Sequence, residues 1–388
     1  MTELALGPGP AGHGAEEDCP PESDPYLKPL DDPCEDRQEL GERVVGTHGE
    51  PYDVFLVGTV FLDMIFTGMN GPPQPGTELW TSGLGSAPGG IANMAVAMSR
   101  LGLKVGLAAA FGDDMFGAYL WRTLSEQEQV CLCSSHRVKG WPTPVTVSMA
   151  YAADRSMVTY GEPLPFEEQA LVSDPPACRA CFIDLDGPLP EWVAGARKNG
   201  AVVFGDVGWD PTGEWSTTSL FDRLAEVDVF LPNAVEAMSY TRTSTPEAAL
   251  EELSPHVPVV VVKAGRQGAY AIDRRTGERV HEPAVEVDAI DPTGAGDVFA
   301  ASFVLATLSG WTLAQRVRFA NLCAALSVRQ FSGSLGAPCW HEVGEWFCAT
   351  GIPADYSFLA PYVPEAHGAD RARAHPTVRY ADAPPAAS

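Results

Sequence analysis

The chain has 388 residues, 45 % of them hydrophobic, which is typical of a globular protein with one large domain or two ordinary ones. Its formal net charge of −26 disfavours nucleic acid and anionic membranes as partners, because binding to either depends on Lys and Arg neutralising phosphates. The sequence has no apolar run of membrane-spanning length, no leader pattern and no disulfide framework among its nine cysteines, so we expect a cytoplasmic protein.

The two ends of the chain differ in composition from its middle. Residues 1–50 are rich in Pro, Gly, Asp and Glu and carry 13 acidic and 3 basic side chains, and residues 364–388 are rich in Ala and Pro. Such segments bury too little apolar surface to offset the entropy of ordering them. We therefore predict a disordered acidic tail over 1–50, a folded domain over 51–350 and a loose tail over 364–388.

Between the tails, short apolar runs alternate with helical patterns. The predicted strands lie at 54–58, 105–110, 181–184, 201–204, 227–231 and 259–262, and the first predicted helix lies at 91–101. Each strand is a continuous apolar run, as expected when helices cover both faces of a parallel sheet. The pattern predicts an α/β fold with a mostly parallel sheet.

Two segments, about 64–85 and 143–162, do not follow this pattern. Within the second segment, 145–151 and 157–160 read as two strands on either side of an Ala-Asp-Arg turn, which predicts a hairpin. We expect both segments to form a small β layer, or lid, outside the main sheet.

The most specific motif is the run DPTGAGD at 291–297, which precedes an apolar helix that ends near Gly310. Gly294 and Gly296 allow the backbone to approach a ligand closely. The free N–H groups at the start of the helix attract phosphate, so a carboxylate in the same turn, Asp297, is suited to be a general base beside a phosphoryl group. An ordinary glycine-rich turn is the alternative on the local pattern alone.

Two further motifs are candidates for binding an acceptor. Asp63 follows the first predicted strand, where a carboxylate could accept hydrogen bonds from substrate hydroxyls. Gly89 and Gly90 open the helix that contains Asn93, whose amide could bind a polyol. The alternatives are a solvated loop aspartate and a helix N-cap.

Two motifs are candidates for binding a nucleotide. Asn233 and Glu236 share one face of a predicted helix, where the amide could contact phosphate and the carboxylate could hold Mg²⁺ through water. A helix-capping pair is the alternative. Residues 263–268, KAGRQG, follow a predicted strand and could line a nucleotide or simply form a β-hairpin turn.

From residue 54 to about 338, the order and spacing of these motifs resemble the ribokinase-like, or PfkB, carbohydrate kinases, with further similarity at 112–117 and 318–321. The resemblance implies a three-layer α/β/α domain with a small β lid, ATP as phosphoryl donor and Mg²⁺ as cofactor. It implies that Asp297 is the base and that the amides of Gly294, Ala295 and Gly296 hold the charge of the transferred phosphoryl group.

The same resemblance implies binding roles for further residues. The acceptor would contact Asp63, Gly89, Gly90, Asn93 and Asp297. ATP would contact Asn233, Lys263, Gly265, Gly268, Thr293, Gly294, Gly296 and Asn321. Glu236 would hold Mg²⁺ through water, the region of Asp291 could hold a monovalent cation such as K⁺, and the lid could form a homodimer.

The acceptor is less well determined than the reaction. No Lys or Arg lies between Ser86 and Ser99, which favours an unphosphorylated sugar because a sugar phosphate needs cationic partners. Phe61, Met64 and Trp80 could stack on a nucleobase, so a nucleoside kinase is an alternative. A non-catalytic sugar sensor is another, although the presence of the base and the loop glycines favours an enzyme.

Overall fold

The structure is a computed structural model, and it describes residues 51–151, 154–166, 171–172, 175–210, 212–330 and 333–363. The tails predicted at 1–50 and 364–388 lie outside these ranges. The strands are β1 Tyr52–Val57, β2 Val60–Thr67, β3 Gly83–Gly90, β4 Val105–Ala108, β5 Ala110–Gly112, β6 His136–Val138, β7 Val145–Tyr151, β8 Asp154–Tyr160, β9 Cys178–Asp184, β10 Val202–Asp206, β11 Val229–Phe230, β12 Val259–Lys263, β13 Ala269–Asp273 and β14 Glu278–Glu282. The helices are α1 Ile91–Arg100, α2 Met115–Arg122, α3 Glu191–Lys198, α4 Thr217–Leu224, α5 Ala234–Thr241, α6 Pro246–Leu253, α7 Ala295–Leu308, α8 Leu313–Ser327 and α9 Trp340–Thr350.

The main sheet has eight strands in the order β14-β13-β12-β11-β10-β9-β1-β4. The six strands from β12 to β4 run parallel, and the hairpin β13–β14 joins β12 in antiparallel register. The mostly parallel sheet predicted from the apolar runs is therefore confirmed. The carboxyl ends of the parallel strands meet at one edge, where ligands of open α/β sheets bind.

Helices cover both faces of this sheet, and strand β12 shows how. Val259 and Val261 pack into the core formed with α1, α7 and α8, whereas Val260 and Val262 pack into the core formed with α3 to α6. Alternate side chains of one strand thus enter two different cores, which explains why the strands read as continuous apolar runs. The three-layer α/β/α architecture is confirmed.

A second sheet lies outside the main one, in the order β3-β2-β7-β8. Strands β7 and β8 form the predicted antiparallel hairpin, and β2 pairs with β3 on one side and with β7 on the other. We call this four-stranded sheet the lid. Its presence confirms the predicted small β layer, although β2 begins at Val60, four residues before the predicted segment.

The segment that follows α8 packs against β3 and α1, which lie near the start of the folded domain. We call residues 333–337 the C-terminal strap. Ser334 Oγ donates to the Pro88 carbonyl oxygen on β3 at 2.6 Å, and Arg100 at the end of α1 donates to the Leu335 carbonyl oxygen at 2.8 Å. The strap therefore holds the end of β3 and the last residue of α1.

No helix within the described ranges is long and apolar enough to span a membrane. The cysteines that the structure describes are all free thiols.

Candidate active site

The glycine loop before α7 presents backbone donors. Gly294 adopts a φ of 77°, a conformation that favours glycine. The Ala295 N–H donates to the Pro292 carbonyl oxygen at 3.2 Å, whereas the N–H groups of Gly294, Gly296 and Asp297 make no hydrogen bond within the described part of the chain. Three amides at the start of α7 are thus available to an anion, and Ala295, which we expected among them, is already engaged.

Asp297 lies half-buried in the first turn of α7. Its Oδ2 accepts a hydrogen bond from Asn93 Nδ2 at 2.9 Å. Burial raises the pKa of the Asp297 carboxyl above its usual range, and Lys263, Asn93 and Arg155 act in the opposite direction. The carboxylate is therefore held by an amide and faces two cations, and a raised pKa suits a group that accepts a proton.

Asp63 lies within strand β2 and is only 7 % exposed, so the alternative of a solvated loop aspartate is wrong. Burial raises the pKa of its carboxyl to about 7, the charge of Asp297 adds to this effect, and Arg155 opposes it. The neighbouring strand β3 leaves room for the side chain, because a Cβ atom at Gly89 would lie 2.2 Å from the Asp63 carboxyl carbon. Gly89 and Asp63 thus form one unit, in which the glycine makes space for the acid.

Arg155 is a site residue that the sequence analysis did not identify. It lies at the start of β8 in the lid, and its Nη1 is 3.5 Å from Thr293 Oγ1 in the glycine loop. Its charge acts on both Asp63 and Asp297. The Ala-Asp-Arg turn of the predicted hairpin contains this arginine, but the sequence alone does not show that the lid folds over the loop.

Two buried oxygen atoms near the loop lack hydrogen-bond donors. Asn93 is 5 % exposed and Asp291 is 2 % exposed, and neither Asn93 Oδ1 nor Asp291 Oδ2 receives a hydrogen bond within the described ranges. The strap passes close by, since a Cβ atom at Gly333 would lie 3.4 Å from Asn93 Oδ1. Buried acceptors are usually satisfied, so these two atoms are ones that a ligand donor or a cation could satisfy.

Lys263 joins the glycine loop to the strand ends. Its Nζ donates to Asp206 Oδ2 at 2.6 Å in a largely buried ion pair. A Cβ atom at Gly296 would lie 3.8 Å from the same Nζ, so the ammonium group faces the glycine loop. The charges of Glu236 and Asp297 also act on Lys263. The positive charge of Lys263 thus acts on carboxylates on both sides of the glycine loop.

Asn233 and Glu236 form the capping pair that was the alternative interpretation. Asn233 Oδ1 accepts from the Glu236 N–H, and Glu236 Oε2 accepts from the Asn233 N–H, both at 2.9 Å. Burial raises the pKa of Glu236 to about 7, as does the charge of Asp206, while Lys263 opposes the shift. The pair lies beside Lys263, and its contacts with phosphate and Mg²⁺ stay predictions.

The turn at 263–268 joins β12 and β13, as the hairpin alternative predicted. Gly268 has a φ of 85°, and a Cβ atom there would lie 2.0 Å from the Glu282 carbonyl oxygen. Asn321 on α8 donates from Nδ2 to the carbonyl oxygens of Glu282 and Pro283 at 2.9 and 3.1 Å. Gly268 and Asn321 therefore both hold the chain where it leaves β14, and a contact of either with a nucleotide stays a prediction. Gly265 has a φ of 55° in the same turn.

The site residues fall into two groups at the carboxyl edge of the sheet. The first is grouped around Asp297 and contains Asp63, Gly89, Asn93, Asp291, Thr293 and Arg155. The second is grouped around Lys263 and contains Asp206, Asn233 and Glu236. Lys263 and the glycine loop connect the two groups, so the geometry suits transfer of an anionic group from one side to the other.

The chain is similar to known kinases over most of its length. The family model "pfkB family carbohydrate kinase" matches residues 81–339, about two thirds of the chain. The 5-dehydro-2-deoxygluconokinase of Geobacillus thermodenitrificans is 23 % identical over 328 residues, which cover 76 % of this chain and 93 % of that protein. A nucleoside kinase of Methanothermobacter thermautotrophicus is 28 % identical over 308 residues, which cover 77 % of this chain and 97 % of that protein.

A solved structure shows the same fold. The ribokinase of Arabidopsis thaliana, in complex with ribose and ATP, superposes with a TM-score of 0.60 at 21 % identity and covers 75 % of this chain and 96 % of that one. The predicted resemblance is confirmed by the family model and by the shared fold. The chain therefore belongs to the pfkB family of carbohydrate kinases and is an enzyme.

Proposed function

We propose that the protein transfers the γ-phosphoryl group of ATP to a hydroxyl of a small, unphosphorylated sugar. The observation that carries this proposal is the position of Asp297, which directly follows the glycine loop with its available amides. A base and an anion site then lie within one helical turn, which is the arrangement that phosphoryl transfer to an alcohol requires.

Within this proposal, Asp297 takes the proton of the acceptor hydroxyl. Asn93 Nδ2, at 2.9 Å, orients its carboxylate, and the raised pKa makes it a better proton acceptor than an exposed aspartate. The amides of Gly294 and Gly296 hold negative charge on the transferred group. The guanidinium of Arg155, close to Thr293, adds positive charge on the lid side.

We infer that ATP lies along the second group of residues, with its triphosphate against Lys263 and the glycine loop. Within the described ranges, no three acidic, His or Cys side chains are close enough to hold a metal alone. This suits Mg²⁺, which keeps several waters and needs only one or two carboxylates beside substrate phosphates. Glu236, beside Lys263 and Asp206, would hold it through water, and bound Mg²⁺ would neutralise charge on the phosphates.

Asp291 supports a monovalent-cation site in the same loop. Its Oδ1 accepts from the Thr293 N–H at 2.9 Å, whereas Oδ2 is buried without a donor in the described part of the chain. A carboxylate oxygen in this state fits a hard cation such as K⁺. The cation would fix the backbone of the glycine loop.

The charges at the acceptor end favour an uncharged substrate. Three carboxylates, Asp63, Asp291 and Asp297, surround this end, and Arg155 and Lys263 are the cations acting on Asp297. A phosphate on the acceptor would lie among these carboxylates, and its repulsion by each ionised one rises as water is excluded. Arg155 is a basic residue that reaches this end from the lid, and because it faces Asp63 and Asp297 it leaves the preference for an unphosphorylated acceptor in place.

The proposal is tested by measuring ATP consumption with free sugars, sugar phosphates and nucleosides, using the wild type and Asp297→Asn. We expect kcat of the variant on the best acceptor to fall by about 100-fold or more, as is usual for loss of a general base. Asp288→Asn, at an exposed aspartate shortly before the loop, is the matched control. Wild-type turnover by Asp297→Asn would exclude it as the base, and absence of turnover with every acceptor would favour the sugar sensor.

We also infer a homodimer formed through the lid. Trp80 is 85 % exposed, and Val158 and Tyr160 on strand β8 are 61 % and 55 % exposed. Strand β8 is an edge of the lid sheet, and an exposed apolar edge invites pairing with a second copy. Light scattering should give the dimer mass for the wild type and a lower mass for Val158→Lys.

The free thiols are in keeping with a cytoplasmic location, which is part of the same proposal.

A further inference from the structure

Two thiols and a phenol meet near the first residues of the main sheet. Cys131 is half-buried and Cys133 is exposed. The Tyr52 hydroxyl donates to Cys131 Sγ at 3.0 Å, and the Cys133 thiol lies within hydrogen-bonding reach of both groups. Tyr52 opens β1, so these residues lie toward the amino ends of the parallel strands, away from the carboxyl edge that carries the candidate active site. We call Tyr52, Cys131 and Cys133 the thiol cluster.

The backbone holds the two cysteines differently. The N–H and the carbonyl oxygen of Cys131 are both hydrogen-bonded to the backbone of β4, at 3.0 and 2.9 Å. The chain then turns, because the Ser135 N–H donates to the Leu132 carbonyl oxygen at 2.9 Å, and Cys133 is the second residue of this β-turn. One sulfur is thus fixed against the sheet, and the other is presented to solvent beside it.

The ring of Tyr52 is fixed against this pair. A Cβ atom at Gly106 would lie 3.0 Å from the ring, so the glycine makes room for it, and the Lys104 ammonium lies 5.5 Å from the ring centre. Burial raises the pKa of the Tyr52 hydroxyl above its usual range, as do the two thiols. The phenol therefore stays protonated and holds the Cys131 sulfur beside Cys133.

An accessible thiol with a second thiol fixed behind it is the arrangement of a redox-active pair. We propose that Cys133 exchanges with low-molecular-weight disulfides and that Cys131 resolves the product. The inference does not depend on the proposed kinase function, because the thiol cluster shares no residue with that site.

The exchange has two steps. The Cys133 thiolate attacks one sulfur of a disulfide RSSR, which forms a mixed disulfide and releases a thiolate that takes up the proton lost by Cys133. The Cys131 thiolate then attacks the Cys133 sulfur and expels the second thiolate, which is protonated in the same way. Two protein thiols are thus oxidised to one disulfide, and RSSR is reduced to two molecules of RSH.

The exchange should be faster in alkaline solution. Burial and the neighbouring Cys131 raise the pKa of the Cys133 thiol, and the Tyr52 hydroxyl opposes this shift. Because the thiolate is the nucleophile, the rate of attack should rise with pH. We therefore choose about pH 8.5, near the ordinary pKa of a thiol, for the test.

The test treats the whole protein with excess oxidised glutathione, after which the remaining thiols are blocked with N-ethylmaleimide. Tryptic cleavage after Arg122 and Arg137 yields a peptide, 123–137, that contains Cys131, Cys133 and no other cysteine. Mass spectrometry should show this peptide without N-ethylmaleimide and lighter than its reduced form by two hydrogen atoms. We expect this disulfide form to be at least tenfold more abundant than the glutathione adduct of the same peptide.

Cys131→Ser should leave the glutathione adduct on Cys133, because no second thiol resolves it. Cys348→Ser removes an exposed thiol on α9 and is the matched control, which should still form the disulfide in peptide 123–137. Cys323 is fully buried and should take up no glutathione in any folded variant, so it reports folding, and Cys131→Ala replaces Cys131→Ser if it reacts. A glutathione adduct that persists in the wild type as in Cys131→Ser, or a wild-type peptide that keeps both thiols reduced, would overturn the inference.

Discussion

Replacing Asp63 with asparagine should stabilise the protein at alkaline pH. The Asp63 carboxyl is 7 % exposed, and its pKa is raised from 3.8 to about 7, first by burial and then by the charge of Asp297. The native state therefore binds this proton more tightly than the unfolded chain does. The stability that this provides is complete below pH 3.8, is lost as pH rises to about 7 and stays lost above it.

The expected size follows from this difference in pKa. One pKa unit corresponds to about 1.4 kcal/mol, so a shift of about three units corresponds to about 4 kcal/mol. Asparagine is uncharged at every pH and resembles the protonated acid in shape. The free energy of unfolding of Asp63→Asn, relative to wild type, should therefore rise by about 2 to 4 kcal/mol between about pH 4 and about pH 8.

Urea unfolding followed by tryptophan fluorescence measures this difference without knowledge of the acceptor. Wild type, Asp63→Asn and the control Asp222→Asn, at an exposed aspartate on α4, are compared at several pH values. The control should show a difference from wild type that does not depend on pH. If the stability difference between Asp63→Asn and wild type were equally independent of pH, the explanation of the Asp63 environment would be refuted.

Three further outcomes are expected. Lys263→Met should lower kcat/KM for ATP about 100-fold, because it removes the cation that faces the glycine loop; an unchanged value would exclude Lys263 from triphosphate binding. Arg155→Met should lower kcat by about 100-fold while changing the urea midpoint little, and a fall in stability with normal kcat would show a structural role instead. Gly89→Ala should lower the free energy of unfolding by about 2 kcal/mol or more, because its Cβ would overlap the Asp63 carboxyl, whereas Gly71→Ala, where a Cβ meets nothing within 4 Å, should be near neutral in the same measurement.

The sequence predicted the parts of the fold that depend on local patterns. The valines of β12 show why, since both faces of the strand are buried and the run is apolar throughout. The hairpin β7–β8 also follows from short-range chemistry, namely a turn between two strands. Predictions of this kind succeed because the determining residues are close together in the chain.

The sequence did not predict how distant segments meet around the site. Arg155 and Thr293 are 138 positions apart, and nothing in either local pattern shows that they face each other. Of the three residues proposed to contact a base or sugar, Phe61 lines a cavity of about 640 Å³ at the base of the lid, Met64 packs against the core on the other face of β2, and Trp80 is 85 % exposed. Which face of a lid strand turns inward depends on packing between sheets, and that information is not local.

The strap has a consequence for the folding of the chain during its synthesis. Ser334 and Pro88 are 246 positions apart, and their hydrogen bond joins the strap to β3 beside the proposed acceptor site. At typical rates of translation, roughly 12 to 50 s separate the emergence of the two segments from the ribosome. The glycine loop and the strap both leave the ribosome long after β3, so the two sides of the proposed acceptor site cannot meet before residue 334 has been made.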